Sequence, residues 1–169
     1  MPIKKYIVEL DANDLALCIE ATNERIELIK QKNYKHRFMS LAKKHDPFNR
    51  DGHYLAFLTE LATARYLGVS YNFDIGPDAT RTDLINGCQV RSTRRVEGCL
   101  IVQEFDKPAP FVLAIPFDSD HQIILVGWRD LIDCKLDKYW RTNVPKPAWF
   151  VPQEDLHDMN LLKAKFMFV

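Results

Sequence analysis

Two unbroken apolar runs most constrain how this chain can fold: Phe111-Val112-Leu113-Ala114-Ile115, and Ile123 to Trp128. A strand with one wet face alternates apolar and polar residues, so a continuous run signals a strand covered on both faces. Pro108 and Pro110 punctuate the chain before the first run, and Gly98 breaks it before the shorter run Leu100-Ile101-Val102. The interior is therefore a sheet with a layer on each side. Two helices are available to cover it. Asp11 or Asn13 can cap one over about 12 to 32, with Leu15, Ile19, Ile26 and Ile29 on its apolar stripe. A second, about 53 to 67, is rich in Ala and Leu and stops at Gly68. A short helix near 130 to 136 is expected, and residues 3 to 10 read as an edge strand or extended lead-in. The Pro- and aromatic-rich last thirty residues read as irregular structure and short strands wrapping the core.

At 169 residues one domain is expected: a helical, basic N-terminal region (about 1–50), a core (about 51–136) and the C-terminal wrap (about 137–169). Twenty-three basic residues balance twenty-three acidic ones, so net charge proposes no partner. Cys18, Cys88, Cys99 and Cys134 form no C-x-x-C, and the five histidines form no H-E-x-x-H. Free, buried thiols in a reducing compartment are expected. With no membrane-length apolar run and no signal-like N-terminus, a cytosolic protein is expected.

Chemistry concentrates in Thr82-Asp83-Leu84-Ile85-Asn86-Gly87-Cys88-Gln89-Val90-Arg91-Ser92-Thr93. Asn-Gly between short apolar stretches is a strong hairpin signal. On the second strand Gln89, Arg91 and Thr93 share a face. A two-residue loop would set Asp83 opposite Val90, facing away from Arg91. A three-residue connection, Asn86-Gly87-Cys88, sets Asp83 opposite Arg91, and this is the expected register. Glu60 sits mid-helix with Ala56, Phe57, Thr63 and Ala64 as same-face neighbours, none of them a cation. It is either a solvated rim residue or an inward carboxylate that needs a partner, such as a divalent metal.

Cations flank this region. Arg94 and Arg95 either hold neighbouring phosphates or form a solvated hairpin end. From Lys30 to Arg50 the chain is basic, with Arg37, Lys43 and Lys44 among its cations and Tyr34 and Phe38 interleaved. That stretch reads either as a solvated face or as a phosphate-contacting arm.

A helix with a central Glu60, followed by Asp83 and then Gln89-Val90-Arg91, resembles the PD-(D/E)XK nuclease superfamily, the restriction-endonuclease-like fold. Thr59 to Gly68, Gln89 to Thr93, Val126-Gly127-Trp128 and Pro147 to Pro152 are similar to small phage-encoded members, so the likeness spans about 50 to 155. It implies an α/β (α+β) domain with a mixed sheet flanked by helices. It implies Glu60, Asp83, the Gln89 amide oxygen and the Val90 carbonyl as ligands of Mg²⁺, with Mn²⁺ as a substitute, and Arg91 as positioning cation. DNA is the implied substrate, a homodimer the implied assembly, and the cytoplasm of a phage host the implied compartment. Gln89 stands where an acid is usual and removes one negative charge. Arg91 stands where Lys is usual and cannot give up a proton. These departures keep an alternative open: a nuclease-fold protein that has lost cleavage and only binds nucleic acid or a protein.

Overall fold

The computed structural model describes residues 3–32, 49–76 and 82–168. Its centre is the antiparallel pair β4 (Pro110–Phe117) and β5 (Gln122–Asp130), built from the two apolar runs. Alternation divides β4 between two cores. Val112 and Ala114 face the first, and Phe111, Leu113 and Ile115 the second, so the run is buried on both sides as expected. The strands are joined by Asp118, Ser119 and Asp120, all at positive φ. β1 (Tyr6–Glu9) adds antiparallel to β5, and β2 (Gln89–Ser92) adds parallel to β4. The order β1-β5-β4-β2 makes a mixed sheet with β2 at a free edge.

Between Leu113 and Ala114 the register slips, because β5 carries one extra residue, Val126. The neighbouring Gly127 lets the backbone of 156–157 close in. A Cβ there would lie 2.8 Å from the His157 carbonyl oxygen, where Trp128 and His157 exchange two main-chain hydrogen bonds.

α1 (Ala12–Gln31) and α2 (Arg50–Leu67) cover the first core. Asp11 caps α1 and exchanges hydrogen bonds with Asp14 in a capping box. The buried stripe of α1 is Asp14, Cys18, Ala21, Thr22, Ile26 and Ile29, so Ile19 points outward, against the sequence expectation. α2 begins at Arg50 under an Asn49 cap, so the helix takes in Arg50-Asp51-Gly52, three residues ahead of the expected start near 53. It ends at Gly68, in the left-handed region at φ 72°.

The second core lies between the main sheet and a smaller antiparallel sheet, ordered β3 (Leu100–Val102), β7 (Ala148–Val151), β6 (Trp140–Arg141). The short α3 (Leu131–Cys134) joins this layer. The fold is thus α+β, with the long helices on one face of the main sheet and a second sheet on the other. α4 (Met159–Met167), capped by Asp158, sends Met159 and Leu162 into the first core. The expected irregular wrap therefore contains a helix. Cys18, Cys88 and Cys134 are buried free thiols, and Cys99 is partly exposed. No described helix is long and apolar enough to cross a membrane.

One charged pair ties α1 to α2. Arg65 grips both oxygens of the buried Asp14 at 2.5 Å. That grip is the chief cause holding the Asp14 carboxyl below its usual range. Arg65 reaches water and Asp14 does not, so the two deletions are unequal. Arg65→Met strands a buried carboxylate and is expected to cost about 2 kcal/mol in chemical denaturation at pH 7. Equal stability of variant and wild type would show that the pair contributes nothing net.

Candidate active site at the free edge of β2

The expected hairpin does not form. Residues 82–88 make a closed turn, with Leu84 N–H donating to Cys88 C=O at 3.1 Å and Gly87 N–H to Leu84 C=O at 3.0 Å. Gly87 takes φ 91°, as the Asn-Gly signal requires. Leu84 and Cys88 are both buried and pin the turn to the first core. No ladder links 83–85 to β2, so neither predicted register applies. Instead the Asp83 carboxylate takes the place of a partner strand, accepting the Val90 N–H at 2.7 Å. In a parallel pair, alternate residues turn their main-chain groups toward the neighbour. Thr93 N–H bonds to Ala114 on β4, so Val90 turns outward and its carbonyl lies on the free edge with Asp83.

Glu60 approaches from α2. Its Oε2 accepts the Tyr71 hydroxyl at 2.5 Å. Burial pushes its carboxyl up to about 8, and the nearby Asp83 charge is the next cause; Tyr71 and Arg25 oppose the rise. Asp83 is raised too, first by burial, against the pull of the Val90 N–H, Arg91 and Arg25. Two half-buried carboxyl groups from distant parts of the chain thus lie close enough for the Asp83 charge to reach Glu60, and burial disfavours the ionised form of each.

Arg25 reaches this pair from α1. Its guanidinium lies over the Phe57 ring, 4.3 Å from ring centroid to Cζ, and donates to the Asp74 carbonyl at 2.5 Å. Its buried Nε has no hydrogen-bond partner among the described residues.

Gln89 and Arg91 lie on the other face of β2. Both alternate with the core residue Val90, and the Arg91 guanidinium sits 4.9 Å from the Phe111 ring centroid, in the layer facing the second core. Arg91 pairs with the buried Asp106 at 2.8 Å. Its charge still reaches Asp83 around the edge. A chain of charges, Glu60, Asp83, Arg91, Asp106, therefore wraps the rim of β2. The Gln89 amide makes no hydrogen bond among the described residues, and alternation alone does not bring it to Glu60.

No family model, curated protein or solved structure matches this chain.

The donors at the rim suit a hard cation. Two carboxylates and an outward carbonyl are oxygen ligands of the kind Mg²⁺ takes, and a divalent charge would offset the repulsion between Glu60 and Asp83. No group of three His, Cys, Asp or Glu able to hold a metal occurs among the described residues. The acids at this rim number two, Glu60 and Asp83, and Gln89 lies on the opposite face of β2.

The expected phosphate-binding residues divide. Arg94 is spent internally, donating to Asp51 at 2.8 Å and to Asp120 at 2.8 Å, so it clamps the start of α2 to the β4–β5 turn. Its two acids raise its own pKa, and this clamp stands beside the phosphate-holding role read from the sequence. Arg95 is exposed beside it. Arg37, Lys43 and Lys44 lie outside the described residues. A hollow of about 460 Å³ lined by Ile19, Thr22, Arg50, Asp51 and Tyr54 contains none of the expected site residues.

Sequence reasoning missed Arg25, Tyr71 and Asp106. Arg25 follows Cys18 by seven positions and precedes Ile29 by four, which is helical spacing on one face, so its signal was a cation on a buried stripe. Tyr71 and Asp106 come from irregular segments and carried no local signal.

Proposed function

We propose that this protein is a Mg²⁺-dependent phosphodiester hydrolase acting on DNA, a nuclease of the PD-(D/E)XK type. The observation that carries the reading is the desolvated pair Glu60 and Asp83, brought from α2 and the 82–88 turn to the free edge of β2. Glu60, Asp83 and the Val90 carbonyl are the residues that would hold the metal, with Mn²⁺ as a substitute; Gln89, on the opposite face of β2, is left out of that set. A bound divalent cation supplies an acidified water and offsets charge on the phosphate oxygens.

The remaining roles belong to the chain itself. Tyr71 orients the Glu60 carboxylate through its hydroxyl. The Val90 N–H fixes one Asp83 oxygen and leaves the other free to face substrate. Arg91, always charged, attracts the phosphodiester and offsets charge developing on it; Asp106 holds the guanidinium in place. Burial strengthens each of these interactions relative to water. A phage origin, work in the host cytoplasm and pairing of two copies to cut both strands belong to the same proposal.

A second reading is favoured by one observation: the Arg91 charge is already matched by Asp106. Such a site would bind DNA or a protein partner without cutting.

The purified chain, incubated with supercoiled plasmid and with single-stranded DNA in Mg²⁺, Mn²⁺ or EDTA, tests the proposal. Nicking with either metal and none in EDTA is the expected result. Salt-sensitive gel shifts without cleavage under any condition would move the assignment to the binding protein.

A further inference from the structure

Resting on the nuclease reading, a second feature names the form of DNA that the site takes. The loop after β3 carries Asp106, the partner of Arg91, and next to it Phe105, which is 69% exposed. A single exposed Phe is ordinary on a protein surface; what sets Phe105 apart is its place next to Asp106 and the cation against its ring. The Lys146 ammonium lies 4.6 Å from the Phe105 ring centroid. On the same loop the Glu104 carbonyl accepts the Lys135 ammonium at 2.9 Å. Lys135 in turn lies 5.1 Å from the ring centroid of Trp149, which is partly buried against the second core; Trp149 meets Trp140, 39% exposed, with centroids 4.4 Å apart and ring planes tilted by 53°. Each contact shares a residue or a short loop with the next. The result is a row of rings and cations that starts at Asp106 and runs outward to the edge strand β6.

We propose that this row, Phe105, Trp149 and Trp140 with Lys146 and Lys135, is a stacking platform for single-stranded DNA leading into the Glu60–Asp83 site. Unpaired bases present faces that stack on aromatic rings whatever their sequence, and cations at the ring margins meet the phosphates between them. A duplex hides those faces. The nearby charges divide by role. Lys138 pairs with Asp155 and is not counted, and the exposed Glu104 opposes binding, so the rings rather than net charge must carry the affinity. A protein partner would need a broader apolar patch than one Phe and a pair of touching Trp rings.

The test is fluorescence anisotropy with a fluorescein-labelled thymidine 15-mer in EDTA, which prevents cleavage. The wild type should bind it more tightly than a duplex or a uridine 15-mer of equal length. An abasic 15-mer, with phosphates but no bases, should bind about tenfold more weakly. Phe105→Ala and Trp140→Ala, both at exposed positions, should each weaken thymidine binding about tenfold, and Phe105→Tyr, which keeps a ring, should restore it. Equal binding of abasic and thymidine oligomers, unchanged affinity in both alanine variants, or tighter binding of duplex or of RNA overturns the platform. Its failure is separable from that of the nuclease reading. Metal-dependent cleavage with unaltered binding in the alanine variants would sink the platform alone. Ring-dependent binding without any cleavage would sustain the platform and sink the hydrolase.

Discussion

Asp83→Asn should abolish metal-dependent DNA cleavage, by at least about 100-fold, in a chain that still folds. The asparagine keeps an oxygen to accept the Val90 N–H, so the closure of the β2 edge survives. What it loses is the negative charge, and with it an anionic ligand in a set already short of one acid. The same change removes the Asp83 charge that helps raise Glu60, so the remaining carboxyl should ionise more readily. Asp83→Ala is a less informative variant, because it also strands the Val90 N–H at a cost of about 1 kcal/mol. The measurement is single-turnover cleavage of plasmid in Mg²⁺, with unfolding midpoints of both proteins as the control. Full activity in Asp83→Asn would place the metal, or the chemistry, somewhere else.

Parts of this site could be read from the sequence because they depend on local rules. The doubly buried strands β4 and β5 declare themselves as unbroken apolar runs, and the start of α1 and the Gly68 stop of α2 follow from capping chemistry. Glu60 and Asp83 stand out as carboxylates in apolar or turn contexts. The hairpin was not legible, although its turn was. Asn86-Gly87 fixes only the bend, and whether the arms pair depends on burial of Leu84 and Cys88 in a core assembled from distant elements. The partner of Arg91 lies fifteen residues on, in an irregular loop, and no periodicity points to it. Arg25 was hidden for a different reason. The stripe of α1 carries Asp14 and Thr22 among its apolar residues, so hydropathy assigned Ile19 inward and left the charged positions on the outside. The α4 helix was masked by the Pro and aromatic residues just before it. In each case the missing information is tertiary: polar groups on a buried face have partners that only the folded chain brings near.

The largest expected effect on stability comes from Glu60. Its carboxyl rises from an ordinary 4.5 to about 8 on folding, with burial the leading cause and Asp83 the next. A group whose folded value is raised contributes its stability in full below the unfolded value and loses it as pH climbs through the folded one. Between about pH 4.5 and 8 the folded chain holds a proton that the unfolded chain has released, so stability falls across that window. The full loss is on the order of 4 kcal/mol. Asp83 is shifted the same way and adds to the slope. Asp14 and Asp51, held low by their arginines, and Asp155, held low first by the Tyr139 hydroxyl and then by Lys138, lose their contributions only at more acidic pH and leave this window alone. Urea denaturation in EDTA should therefore show a marked drop in stability from pH 5.5 to 8.5. Glu60→Gln, which keeps an oxygen for the Tyr71 hydroxyl, should flatten that drop. Mg²⁺ gives the second arm. At pH 8.5 it competes with no proton, and at 100 times its dissociation constant it should restore about 3 kcal/mol; at pH 5.5 it should restore much less. A wild-type profile as flat as that of Glu60→Gln would show that the carboxylate stays ionised and hydrated. A pH-dependent drop that Mg²⁺ fails to reverse would leave the buried pair real and its proposed metal without support.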